Sequence, residues 1–312
     1  MGDAGYASAV KPLRVLAAVL VALAVLGCGG STGSSRPSGS TLVLGSGRPP
    51  PVVPIIVNSQ FGPGPNRFLF LFVDGQNNPV SSPDRPAQVA FSPPGGQASA
   101  PKSATFLWGI ENVRGYYVLD TDFDKPGDWK ATFTTTAPGS SEVSLDLPFQ
   151  VVQDPSAVAV GEKAPSVKTP TLDDVGGDVS KLSSDSKPDP SFYKVSEDEA
   201  LAAHKPFALV FATPKFCTSQ LCGPQLDTVK AIAKAYPSVT FINVEPYKLE
   251  LKDGQLQPVL TSGNLTPVPA VDAFGILSEP WLYVVDRAGV VQGSFEGVFS
   301  ESELKAALDK VK

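Results

Sequence analysis

A wholly apolar stretch, Phe207 to Ala212, runs through a proline-bearing turn into Cys217 and Cys222, with Gly223-Pro224 directly behind. Six apolar residues bounded by turn residues read as a buried strand. Pro224 suits the first turn of a helix, where its missing N–H is not needed. Leu226, Val229, Ile232, Ala233 and Tyr236 then recur at helical spacing until Pro237 stops the run. In a regular helix, positions i and i+5 lie about 140° apart around the axis. Two cysteines so placed point away from each other, beyond disulfide reach. Cys217 and Cys222 therefore pair only if the segment between them is looped and the helix starts at or just after Cys222. A thiolate beside that helix start is stabilised by the helix dipole.

The residues that follow extend the pattern. Val239 to Val244 reads as a buried strand, Pro269 to Phe274 as a short helix closed by Gly275, and Trp281 to Val285 as another strand. Asp286 to Gly289 reads as a hairpin turn and Val290 to Phe295 as its return strand. Ser300 with Glu303, and earlier Ser196 with Glu199, form capping boxes at two helix starts. This order of elements, with its cysteines and Glu279-Pro280, resembles the thioredoxin-like family of thiol–disulfide oxidoreductases over residues 195–312. The resemblance implies an α/β thioredoxin fold with a cis proline at Pro280 facing the pair. It also implies that Cys217 attacks and Cys222 resolves, so Cys217, Cys222 and Pro280 are the candidate catalytic residues. This chain departs from the family in three places. Four residues separate the cysteines where the family has two, Phe216 stands where a tryptophan is common, and the preceding strand lacks its acidic residue. Asp227 and Glu245 are the carboxylates that could take up a proton, but carboxylates are rarely buried and both read as solvated. Val160 to Pro165 and Thr169 to Asp173 are similar to the opening of peroxiredoxin-type proteins, a lead-in to the same fold.

The amino terminus sets the compartment. Lys11 and Arg14 precede twelve apolar residues, Val15 to Leu26, and Gly27-Cys28 follows. A charged start, a short apolar core and small residues at the cut define a signal peptide over residues 1–27. The core falls short of the roughly 20 residues a transmembrane helix needs. Val25 to Cys28 resembles the bacterial lipobox, which implies lipidation of Cys28 and anchoring to the outer face of the cell membrane. The other reading is plain secretion. With Cys28 assigned to lipid, the two remaining cysteines form an even pair in a disulfide-permissive compartment.

The remaining residues suggest two folded regions with polar connections. Residues 28–51 are rich in Gly, Ser and Pro and read as a flexible tether; a coil of that length reaches roughly 25–30 Å. Residues 52–153 carry short apolar runs separated by turn residues, Arg67 to Val73 foremost, and read as an all-β, immunoglobulin-like sandwich. Lys125 to Trp129 with the alternating residues behind it is similar to the late hairpin of such domains. Residues 154–194, rich in Pro, Asp, Ser and Lys, read as a linker or lead-in. The expected class is thus multidomain: an immunoglobulin-like β-sandwich joined to a C-terminal α/β thioredoxin fold.

Charge and motifs narrow the function. The net charge of −6 becomes −7 once Lys11, Arg14 and Asp3 leave with the signal peptide, and there is no basic patch, so no nucleic-acid partner is expected. His204 is the only histidine, which leaves no His-dense zinc site. A copper site on two cysteines and a histidine, as in some exported thioredoxin-fold proteins, finds no matching histidine loop. Neither cofactor nor metal is expected. The leading expectation is membrane-anchored, extracytoplasmic thiol–disulfide exchange with protein thiols and disulfides of the cell envelope. The alternative is a non-catalytic cell-surface binding or scaffold lipoprotein in which the disulfide is structural, since a fold alone does not fix a function.

Overall fold

The computed structural model describes residues 52–312. The signal peptide, Cys28 and the tether expected from the sequence lie outside the described residues. Sheet formation begins with β1 (Val53–Ile56), β2 (Gly64–Val73), β3 (Ala87–Ser92) and β4 (Lys102–Ser103). It continues with β5 (Thr105–Ile110), β6 (Arg114–Phe123), β7 (Gly127–Thr135) and β8 (Val143–Val151). One antiparallel sheet has the order β1-β2-β6-β5 and the other β4-β3-β7-β8. Their inner faces meet in a core rich in aromatics: Phe68, Phe70 and Phe72 of β2, Tyr117 of β6, Phe133 of β7 and Phe149 of β8.

Strand β2 explains why Arg67 to Val73 has no polar alternation. Side chains alternate between faces along a strand. The phenylalanines fill the sandwich core, while Leu69 points the other way, into a cluster with Tyr116 and Val118 of β6. Leu221 and Val298 of the C-terminal region complete that cluster. Both faces of β2 are apolar because both are covered.

The C-terminal region adds α1 (Glu197–Ala202), β9 (Phe207–Phe211), α2 (Cys222–Ala233) and β10 (Thr240–Val244). Two hairpins follow, β11 (Leu249–Lys252) with β12 (Gln255–Pro258) and β13 (Leu260–Thr261) with β14 (Asn264–Leu265). The chain ends with α3 (Pro269–Phe274), β15 (Trp281–Val285), β16 (Val291–Glu296) and α4 (Glu301–Asp309). A four-stranded mixed sheet has the order β10-β9-β15-β16, with β9 and β10 parallel and the other pairs antiparallel. Ala208 and Val210 of β9 face one apolar layer with α2 and α4, and Phe207, Leu209 and Phe211 face another with α1 and α3.

The expected class requires correction. The described residues are mainly β, organised in five sheets with only 16% helix, and not an immunoglobulin-like sandwich joined to an α/β thioredoxin fold. Helix length is the physical reason. α1 and α3 hold six residues each, and the stretch after β10 goes into paired hairpins instead of longer helix. Residues 154–194, read as a linker, contribute Ala164, Thr169, Phe192 and Tyr193 to the interior.

Candidate functional site

The cysteine segment is a loop held between a strand end and a helix start. Beyond β9, Ala212 and Thr213 are buried, and the Phe216 N–H donates to the Thr213 carbonyl (3.1 Å), tightening the turn around Pro214. The Gln220 N–H donates to the Cys217 carbonyl (3.2 Å) with Gln220 in the left-handed region at φ 62°. α2 begins at Cys222 with Pro224 in its first turn. That non-helical excursion brings the two Cα atoms to 6.1 Å, and Cys217 and Cys222 are joined by a disulfide, within the usual span for one.

Cys217 Sγ is the sulfur with polar neighbours. The Cys222 N–H, at the start of α2, donates to it at 3.3 Å, and the Ser219 hydroxyl lies 3.2 Å away. Sequence alone left open which cysteine the helix start favours. The helix starts at Cys222, but its first free N–H points at Cys217. Ser219 is a hub: its hydroxyl also reaches the Glu279 carbonyl (3.4 Å) and accepts from the Leu221 N–H (3.4 Å). The Glu279-Pro280 peptide is cis, so Pro280 lies next to the residue that Ser219 bonds. The Glu279 carboxylate accepts from the Tyr247 hydroxyl at 2.6 Å. Burial pushes Glu279 above the usual carboxylate range, partly offset by Tyr247, and burial together with Glu279 pushes the Tyr247 hydroxyl up.

Little of this site meets solvent. Cys217 is 9% exposed and Cys222 fully buried. Both cysteines pack into the core of the C-terminal region with Ala212 of the strand end and Leu226 of α2, and the sandwich flanks the loop that carries them. Arg114 at the start of β6 donates from Nη1 to the Ser219 carbonyl (2.9 Å). Leu221, 2% exposed, sits against Leu69, Tyr116 and Val118. Gly109 of β5 allows this approach, because a Cβ there would strike the Tyr116 ring and come within 2.9 Å of Leu221 Cδ2.

The two carboxylates read as solvated part ways. Asp227 is 72% exposed and pairs with Lys230 (2.7 Å). Glu245 is 7% exposed: one oxygen accepts from the Ser184 N–H (2.5 Å), and the other has no partner. Burial pushes it up to about 7 against the pull of Thr213 and Ser184. The sequence reading missed this because Ser183 to Tyr193, read as linker, is the segment that covers Glu245. It also missed Arg114, Ser219 and Tyr247. Only Glu279 carried a signal, its place directly before Pro280. His204 lies on the surface just past the end of α1, and no group of three or more His, Cys, Asp or Glu side chains suited to a metal occurs among the described residues.

No known family model matches the chain, and no curated protein matches it. Among solved structures, a DUF4426 family protein from Pseudomonas aeruginosa PAO1 aligns over 33% of this chain and 90% of its own, at 13% identity and a TM-score of 0.25. Salmonella alpha-2-macroglobulin reacted with methylamine aligns over 82% of this chain, which spans 15% of that protein, at 10% identity and a TM-score of 0.24. Scores this low define no common fold, and neither protein informs the site.

Proposed function

We propose that this chain is an exported protein, anchored through a lipid on Cys28, that exchanges thiols and disulfides with proteins of the cell envelope through Cys217 and Cys222. The observation that carries the reading is the Cys222 N–H, at the start of α2, donated to Cys217 Sγ, with the Ser219 hydroxyl 3.2 Å from the same sulfur. The N–H stabilises a Cys217 thiolate once the bond is reduced, and the hydroxyl is within reach to turn its proton to it. That thiolate attacks one sulfur of a substrate disulfide, forming a mixed disulfide and releasing a substrate thiolate. Deprotonated Cys222 then attacks Cys217 Sγ, closes the Cys217–Cys222 bond and releases the second substrate thiolate. The substrate gains two electrons, the pair loses two, and the two protons given up by the cysteines go to the released thiolates. The reverse sequence oxidises a substrate dithiol.

Burial of the pair favours a second reading, a surface binding or scaffold lipoprotein whose disulfide shapes the loop seated on the sandwich. Equilibration with glutathione buffers followed by thiol trapping separates the two. A reduction potential between about −120 and −270 mV is expected for an exchange protein, whereas a value below about −300 mV marks an inert bridge and rejects exchange.

A further inference from the structure

We propose that the β-sandwich is a gate on the cysteine pair: with β5 and β6 seated on the 217–222 loop the disulfide is closed to a protein partner, and exchange proceeds only from an undocked form. This rests on the exchange reading and gives that site its regulation. The first support is access. The sulfur that must be attacked belongs to a residue 9% exposed that packs on the C-terminal core, and the sandwich holds the loop around it at two further points, Ser219 through Arg114 and Leu221 through its apolar cluster. A substrate protein has to bring its own sulfur and flanking backbone to that place, so the sandwich and the substrate compete for it.

The second support is the make-up of the contact. Five buried apolar side chains, Leu69, Tyr116, Val118, Leu221 and Val298, form its centre, with four partly buried ones, Val57, Leu71, Leu107 and Ile110, packed against them. Each side has its own larger core, that of the sandwich alone holding seventeen buried residues. Around the small centre sit polar latches. Arg67 of β2 pairs with Glu303 of α4 (2.7 Å) and donates to the Val298 carbonyl (2.6 Å). Glu296 at the end of β16 accepts from the Ser59 N–H (2.8 Å) and the Asn58 amide (3.4 Å). Arg114 holds the loop itself. A small apolar centre ringed by charged hydrogen bonds is the make-up of a separable interface, whereas the cores on either side are the parts that stay folded when it opens.

The test reads access without requiring a protein substrate. The full chain is treated with excess dithiothreitol, which passes two electrons and two protons to the pair and becomes a cyclic disulfide, and free thiols are trapped over time. Arg114→Ala removes the latch on the loop, and Glu303→Gln weakens the distant latch to Arg67 without touching the loop. Each is expected to be reduced about tenfold faster than the parent, the size of one charge-assisted hydrogen bond lost. The rate in guanidinium supplies the unfolded limit, and circular dichroism checks that each variant remains folded below it. Parent-like rates in both folded variants overturn the gate. Acceleration in Arg114→Ala alone also overturns it, because the effect would then be local to the loop. A potential below about −300 mV with both variants accelerated rejects exchange but supports the gate, so the two failures are distinguishable.

Discussion

At the scale of single residues, the chemistry concentrates where the chain buries charge. Glu245 and Glu197 are both buried and each is pushed up to about 7, chiefly by burial. Glu197 keeps one oxygen on the Val167 N–H (2.8 Å) and leaves the other unpartnered. A carboxyl whose value is raised in the folded state holds a proton that the unfolded chain releases. Its contribution is complete below the ordinary value of 4.5 and is lost as pH rises through about 7. A shift of that size corresponds to about 3 kcal/mol per group. Glu245→Gln, which keeps the shape and removes the titration, should flatten the fall in stability between pH 5 and 7 in urea titrations. A slope equal to that of the parent would mean that Glu245 is ionised throughout. Position 245 also shows the limit of a composition argument. Carboxylates are usually exposed, as Asp227 is, and nothing in the residues adjoining Glu245 reveals that a segment sixty positions earlier closes over it.

At the scale of elements, local signals were legible and coverage was not. The capping box at α4 forms as its sequence suggests: the Glu303 N–H donates to Ser300 Oγ (3.2 Å), and the Ser300 N–H donates to the Glu303 carboxylate (2.8 Å). Ser300→Ala removes the first bond and should cost about 1 kcal/mol, read as a lower urea midpoint with an unchanged slope. No loss would show that Arg67 alone holds Glu303 in place. The looped cysteine segment was likewise readable, because helical geometry forbids pairing at that spacing. The hairpins β11–β12 and β13–β14 were not readable. Leu251 and Leu260 there are exposed, so no buried apolar stripe marks them, and short two-sided polar strands carry little register information. Family resemblance led to the wrong class for a related reason: it rests on the order of a few elements and is blind to how much chain goes into pairing between them.

At the scale of the molecule, the question is whether the sandwich and the C-terminal region hold together strongly enough to act as one body. Strand β2 bears on it most directly, since Phe68, Phe70 and Phe72 belong to the sandwich core and Leu69 to the contact with Leu221 and Val298. That double allegiance explains the uninterrupted apolar run at Phe68 to Val73, which a one-sided sandwich strand would have broken with polar residues. Val298 is fully buried at the contact and lies in neither main core. Val298→Asp places a carboxylate among Leu69, Tyr116, Val118 and Leu221, where the nearby Arg67 is already engaged by Glu303 and the Val298 carbonyl, a cost of several kcal/mol if the contact stays closed. Opening the contact relieves that cost while both cores remain intact. The expected result for residues 52–312 is a far-UV circular dichroism spectrum like that of the parent, with a radius of gyration by small-angle scattering clearly above the roughly 18 Å of a compact chain of this length. Loss of the spectrum would mean that the contact holds up the fold of one half and that no separable gate exists. A compact radius with the spectrum retained would mean that the latches at Arg67, Arg114 and Glu296 outweigh the buried charge, placing the strength of the contact in its polar rim.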